Sequence, residues 1–302
     1  MIRHIALTYD CNRDCAYCYV NDMKDKGEIS IDNFRRLIEW FKERNINNFS
    51  LLGGEPTQYS NFNEINKIAK DFEVVLLTNG LFKDIETNNI NTFVINCNLP
   101  ESYTKEEMEL FISNIKKIKE KGQNIVLRHN IINHNTPYEF IFDLCKEFDV
   151  KNISYSITTP NSDKTNKFTD FEHKDELSHK IISFVKECVK NNIHPGMSRP
   201  IPFCLFNYKD RRFMLHHGGM IETCHPTEGV YVVNPDMSVY PCCALHFKGP
   251  NILDLNNEKD ISDHYSKKIK DLKWSKHIFS KCTSCIYLKR KTCHGGCLTY
   301  KL

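Results

Sequence analysis

Residues 2–20, "IRHIALTYDCNRDCAYCYV", carry the reading on which the fold turns. Ile2–Tyr9 is an apolar, β-forming run, and Cys11, Cys15 and Cys18 follow it in C-x3-C-x2-C spacing. A strand that hands reactive side chains directly to the loop behind it fits a parallel α/β sheet, whose sites gather at the C-terminal ends of strands. Three thiols cannot complete a disulfide set, and a structural tetrahedral metal site wants four ligands. The trio implies either a distant fourth ligand or a coordination position left open.

The pattern continues outward from that stretch. "ISIDNFRRLIEWFKERN" (29–45) predicts a helix: Ser30 can cap it, Ile29 and Phe34 can form a staple, and Ile31, Phe34, Leu37, Ile38 and Phe41 keep helical spacing. "NFSLLGGEP" (48–56) reads as strand then turn, and "FEVVLLTNG" (72–80) as a near-continuous apolar strand that ends in a turn. "TFVINCNL" (92–99) is a further strand, and Thr104 and Glu107 make a capping box for a helix running to Gly122. "NIVLRHNII" (124–132) is the fifth strand, Thr136, Pro137 and Glu139 open the next helix, and "KNISYSIT" (151–158) is the sixth strand before a helix near 171–192. Six βα units predict an all-parallel sheet with the cysteine trio, "GGEP" and "TNG" at one end.

Near residue 195 the character changes. Prolines at 195, 200, 202, 226, 235, 241 and 250, the turn "NPDMS" and dense cysteine describe a small irregular region, 196–302, held by metal rather than by a core. Fourteen cysteines in 302 residues favour metal ligation over disulfides in a reducing compartment. Cys97, Cys145 and Cys188 sit singly in apolar segments and read as core residues. A net charge of +3 and a pI near 8.1 argue against a dedicated nucleic-acid or membrane-surface protein. No apolar run reaches 18 residues and no signal core opens the chain, so a cytoplasmic protein is expected.

The Cys11-x3-Cys15-x2-Cys18 loop after a first strand, with Tyr17 before its last cysteine, resembles the cluster loop of the radical S-adenosylmethionine (SAM) superfamily. "GGEP" at 53–56 matches that family's second motif. The resemblance covers 1–195 and implies a partial (β/α)6 TIM-like barrel, with a [4Fe–4S] cluster on the three cysteines and one iron left for SAM. By resemblance, Gly53, Gly54, Glu55 and Pro56 meet the methionine amino group, and Thr78, Asn79 and Gly80 line the ribose and carboxylate side. Arg128 pairs with the carboxylate, and Tyr17 and Tyr19 pack near the adenine. Asn98 stands where many relatives carry Asp, and its role stays open.

The tail, Cys282-x2-Cys285-x7-Cys293-x3-Cys297, resembles the SPASM or twitch extension of many peptide-modifying members. That resemblance implies one or two auxiliary [4Fe–4S] clusters. Cys204, Cys224, Cys242 and Cys297 would hold one; Cys282, Cys285, Cys293 and a further cysteine would hold the other. No cysteine follows Cys297, so an open iron, Cys243 as the ligand, or a single auxiliary cluster all remain. Structural zinc is the alternative for this tail. Cys243 follows Cys242 where sulfatase-maturing relatives carry an Asp proposed as general base. A thiol cannot take that part at its usual pKa, which leaves a redox or proton-transfer group, or a packed thiol. His216, His217, His225, His246 and His294 lie among these cysteines, and Phe203, Phe206, Phe213 and Phe247 are candidates for a pocket wall.

The implied function is reductive cleavage of SAM to a 5′-deoxyadenosyl radical that abstracts hydrogen from a peptide, ending in a thioether, a carbon–carbon crosslink or another oxidation. The alternatives are a radical SAM dehydrogenase acting on a small molecule and a non-catalytic metal-binding or electron-transfer protein. The expected partners are a peptide substrate, a separate leader-binding protein and a flavodoxin- or ferredoxin-type electron donor.

Overall fold

The strand-forming runs pair side by side in chain order in the computed structural model, which describes residues 1–220 and 224–302. Seven strands run parallel: β1 (Ile2–Ala6), β2 (Asn48–Leu52), β3 (Glu73–Thr78), β4 (Thr92–Cys97), β5 (Asn124–Ile131), β6 (Asn152–Ile157) and β7 (His194–Met197). Two more complete one nine-stranded sheet in the order β7-β6-β5-β4-β3-β2-β1-β8-β9. Of these, β8 (Val230–Val233) adds in parallel to the free side of β1, with Ile2 opposite Val230 and Ile5 opposite Val233. The last, β9 (Val239–Tyr240), runs antiparallel to β8. The expected α/β class holds.

Helices α1 (Ile31–Glu43), α2 (Phe62–Ile68), α3 (Lys105–Glu120), α4 (Glu139–Glu147) and α5 (Lys174–Lys190) connect the strands. Their caps follow the sequence. Ser30 Oγ accepts from Asn33 N, and Thr104 and Glu107 satisfy one another's backbone N–H groups at the start of α3. Thr136 acts differently from expectation: its hydroxyl accepts from Ile132 N and Asn133 N, tying the preceding turn instead of capping α4.

One helix of the expected alternation is missing. Residues 79–91, between β3 and β4, form a loop because "NGLFKDIETNNIN" offers turn formers and no helical apolar stripe. Leu81, Phe82 and Ile90 are buried, and neighbouring side chains satisfy the loop carbonyls: Asn114 donates to Gly80 O and Phe82 O, Gln123 to Thr87 O and Ile90 O.

Each strand has two faces. Phe93, Ile95 and Cys97 of β4 and Leu127 of β5 join Phe111 and Ile115 of α3 in one connected core. The opposite face is only half-buried at Val94, Asn96, Arg128 and Asn130, and that face lines the site. Cys97, Cys145 and Cys188 lie in the core.

The later third contributes to this core, contrary to the expectation of a region held by metal alone. Val233, Met237, Val239 and Ile252 belong to it, as do Ile261, Tyr265, Ile269 and Leu272 of α7 (Glu258–Trp274). A second helix of this region, α6 (Tyr208–His217), packs against α5. Residues 273–292, with the short α8 (Ile286–Lys289), have no buried residue. Arg3 on β1 clamps α7 through a two-pronged pair with Glu258 (2.7 and 2.9 Å), and Tyr231 on β8 donates to the same carboxylate at 2.9 Å.

Candidate functional site

The site is built where β1 and β2 run on past their last ladder bonds. Gly54 N donates to Thr8 O at 2.9 Å and Glu55 N to Asp10 O at 2.8 Å, so the "GGE" turn is stitched to the segment entering the cysteine loop. A Cβ on Gly53 would stand 1.9 Å from Thr8 O, and one on Gly54 would stand 2.4 Å from both Tyr9 O and Asp10 O. The glycines are required by the chain's own close approach, whatever ligand binds beside them.

Glu55 follows and is 1 % exposed. Its Oε1 accepts from Thr57 N (3.2 Å), Thr57 Oγ1 (2.7 Å) and Thr78 Oγ1 (2.8 Å), and its Oε2 from Asn79 N (2.7 Å). Burial raises the carboxyl above its ordinary pKa, and these four donors oppose the shift. One oxygen is saturated; Oε2 keeps lone-pair capacity for a further donor.

Thr78 and Asn79 therefore hold Glu55 and the cysteine loop. Asn79 Nδ2 donates to Asn12 Oδ1 at 2.7 Å, and Asn12 Nδ2 to Leu81 O at 2.8 Å. Gly80, at φ +80°, makes the turn that allows both. On the far side Arg13 donates to Ser102 O (2.7 Å), pairs with Glu107 (3.2 Å) and lies over the Tyr103 ring. Cys11, Cys15 and Cys18 are thereby set at the mouth of one cavity whose lining also holds Glu55, Thr78 and Asn79. Burial pushes the Cys11 thiol up to about 11 in the absence of a metal.

Polar side chains form the opposite wall. Adjacent strands pair Asn96 with Arg128 and Asn130 with Ser156, and Asn130 Nδ2 donates to Asn96 Oδ1 at 2.6 Å. Tyr17 donates its hydroxyl to Asn98 Oδ1 and accepts from Asn96 Nδ2 at 3.0 Å, which gives Asn98 a partner in the cysteine loop. Arg128 donates to Ser198 Oγ at 3.1 Å. Arg199 lies over the Tyr19 ring, 4.5 Å from its centroid, and donates to Thr159 Oγ1. Neither guanidinium forms a salt bridge among the described residues, so two cations face the cavity paired only with hydroxyls and a ring.

The sequence reading missed Arg199, Asn96 and Asn130. A signal for the asparagines was present, since "VINCN" and "LRHN" alternate polar and apolar residues where a strand buried on both faces should not. Arg199 follows β7, a strand hidden at the change of character near 195.

The remaining candidates sort differently. Cys243 packs against the small apolar cluster that contains Ala6, Tyr9, Val20 and Tyr240. Burial pushes its thiol up, but His4, Arg199 and Arg128 outweigh it and hold the thiol below its ordinary range. His246 bridges Ser162 Oγ and the Cys243 carbonyl, and His294 Nε2 accepts from Cys224 N at 2.8 Å. His216 and His217 meet edge to face, with His217 tilted against Phe213, and His225 faces Glu228. The phenylalanines do not wall the large cavity. Phe206 is in the core, Phe203 packs on Tyr287 and Phe247 lies under Lys268.

The C-terminal cysteines separate into two groups. Cys204, Cys282, Cys285 and Cys293 line one small cavity with His277 and His294. Cys224, Cys242 and Cys297 act electrostatically on one another, and Arg199 acts on all three. The family resemblance groups Cys204 with the second set; the structure places it with the first. Among the described residues no three His, Cys, Asp or Glu side chains converge as a single metal ion would require. Also among these residues, no helix is long and apolar enough to cross a membrane.

Residues 5–140 match the family model of the radical SAM superfamily. A protein of Methanocaldococcus jannaschii, named among glycyl-radical enzyme activating enzymes, is 32% identical over 92 residues, 27% of this chain and 36% of its own. GTP 3′,8-cyclase of Klebsiella pneumoniae is 30% identical over 93 residues, 27% of this chain and 28% of its own. The matched stretch thus spans well under half of either curated relative. Among solved structures, SuiB of Streptococcus suis bound to SAM superposes with a TM-score of 0.69 at 16% identity, covering 99% of this chain and 73% of SuiB. The enzyme anSMEcpe with bound AdoMet gives 0.69 at 16% identity, covering 98% of this chain and 89% of that one. At such identity the likeness is one of fold. The match to the radical SAM superfamily thus lies in residues 5–140, within a mostly parallel α/β sheet that shares the partial-barrel fold of those structures.

Proposed function

We propose that this chain is a radical SAM enzyme that modifies a peptide. The observation that carries the reading is the meeting of three thiols, the "GGEP" turn and two acid-free guanidiniums around one cavity. The donor set fits the group. Cys11, Cys15 and Cys18 offer three thiolates and leave one iron of a [4Fe–4S] cluster open, and the cavity behind them carries an acceptor and two cations for an amino acid's ammonium and carboxylate.

Each residue then has a task. Glu55 Oε2 accepts from the ammonium of SAM. Arg128 pairs with its carboxylate. Gly53, Gly54 and Pro56 shape the floor, Thr78 and Asn79 fix Glu55, and Tyr17 and Tyr19 give the adenine an apolar wall. When bound, cluster and SAM together supply a 5′-deoxyadenosyl radical for hydrogen abstraction. The chain's own work is to hold the reactants in register and to keep water from the cavity.

The peptide part of the reading is supported by the neighbours. SuiB has been crystallised with its precursor peptide SuiA, and anSMEcpe with the Kp18Cys peptide. Residues 196–302 form the auxiliary unit in this reading, with [4Fe–4S] clusters on the C-terminal cysteines. The product is a thioether, a carbon–carbon crosslink or another two-electron oxidation. A flavodoxin or ferredoxin of the cytoplasm supplies electrons, and a separate protein presents the leader of the substrate. Cys243 is the candidate proton acceptor.

Anaerobically reconstituted protein with dithionite and SAM is expected to release 5′-deoxyadenosine, and Cys15→Ala to release none. Wild-type protein that binds iron and sulfide yet yields no 5′-deoxyadenosine would overturn the reading.

A further inference from the structure

The two groups of C-terminal cysteines cut across the family pattern, and three observations bear on the division. First, Cys204 reaches the Cys282–Cys293 segment from 78 residues upstream and lines the same small cavity as all three of its cysteines. Second, the backbone is shaped for that approach. Gly296, at φ +92°, lies against Pro202 so closely that a Cβ would stand 2.7 Å from the proline ring. That contact presses the "CHGGC" loop onto the turn Phe203–Leu205, which carries Cys204.

Third, the core does not hold this segment. Residues 273–292 have no buried side chain, and the backbone bonds of Cys282, Cys285 and Cys293 stay within 279–293. Its outside tethers are few: Tyr287 packs between Phe203 and Arg211, Phe279 meets Phe171 edge-on, Trp274 meets the His294 ring, and Lys301 Nζ donates to Lys273 O. A segment with no buried side chain keeps two thiols aimed into a shared cavity when those thiols are ligated.

We propose that Cys204, Cys282, Cys285 and Cys293 are the four ligands of one closed iron–sulfur site, and that Cys224, Cys242 and Cys297 form a separate three-thiolate site. This rests on the reading of the tail as iron–sulfur binding. Four thiolates saturate a [4Fe–4S] cluster and leave no iron for substrate, so the first site stores electrons and ties 273–292 down.

The test uses the full chain with Cys11, Cys15 and Cys18 all changed to Ala, reconstituted anaerobically, with iron and sulfide counted per chain. About eight irons are expected to remain, with Cys204→Ala and Cys285→Ala each losing about four. The double variant of those two should lose no more than either alone, whereas Cys204→Ala with Cys224→Ala should lose nearly all. The reverse pattern, with Cys204 and Cys224 redundant and Cys204 and Cys285 additive, overturns the assignment, as does zinc in place of iron. Alkylation followed by mass spectrometry guards against misfolding. In Cys285→Ala, Cys204, Cys282 and Cys293 should become reactive while Cys224, Cys242 and Cys297 stay protected; exposure of all six overturns the proposal. The parent reading is tested separately by 5′-deoxyadenosine release from the unmodified chain.

Discussion

The chain places cysteine loops at both ends and supports them in opposite ways. The loop 11–18 hangs from a dense set of foreign partners: the Thr8–Asp10 backbone is bonded to "GGE", Asn12 to Leu81 and Asn79, Arg13 to Ser102 and Glu107, and Lys167 N to Ala16 O. The loop 282–293 bonds mostly to itself. The first loop is therefore shaped by the chain's own bonds, and under the proposed ligation the second would take its shape from its metal. Preformation suits a cavity that must hold a cofactor in register; dependence suits a cluster that only has to be retained.

The largest effect should come from withholding iron and sulfide. Cleavage by trypsin within 273–292, which contains Lys273, Lys276, Lys281, Lys289, Arg290 and Lys291, should rise at least about tenfold, since opening that costs little tracks its free energy. Cleavage at Arg13 should stay unchanged. Equal sensitivity of the two loops would break the contrast.

Next is Gly54→Ala, which drives a methyl group into two carbonyls of the first loop. Destabilisation of more than about 4 kcal/mol, or failure to fold, is expected in urea titration; a cost under about 1 kcal/mol would mean the stitching is soft.

A third test uses His129, which is 1 % exposed beneath the cavity wall with both ring nitrogens unpartnered. Burial, with Lys180 nearby, lowers its pKa to about 4. Its unfolded value is about 6.5, so the contribution is intact above that pH and is lost as pH falls towards 4, by about 3 kcal/mol in total. His129→Phe should flatten the stability profile between those limits. An unchanged slope would show that the histidine opens to water before it titrates.

The smallest effect is at the seam between the two regions. Arg3→Ala should cost roughly 1–3 kcal/mol by removing a two-pronged, partly buried pair and stranding Glu258. If urea unfolding then splits into two transitions, that seam is what makes the regions cooperate.

Local chemistry made much of the fold legible. Ser30, Thr104 with Glu107, and "GGEP" mark their elements because each acts within a few residues. Met237 sits at φ +65° in "NPDMS", so the turn read from those residues is a real one. The missing helix between β3 and β4 was legible only in what "NGLFKDIETNNIN" lacks. Arg199, and the company Cys204 keeps, were not legible, because both depend on how segments far apart in the chain are folded against one another. Sequence spacing orders ligands along the chain; it does not sort them in space.

The pairing of β8 with β1 also sets a schedule for synthesis. The strand that feeds the first cysteine loop gains its second neighbour only when residues 230–233 have been made. At roughly 5–20 residues per second, the apolar edge Ile2–Ala6 stays open for roughly 10–45 s on each nascent chain. Throughout that interval the barrel's first strand is an adhesive edge, open to any other unpaired strand. Ribosome-bound chains halted before residue 230 should self-associate, and chains released beyond residue 240 should not.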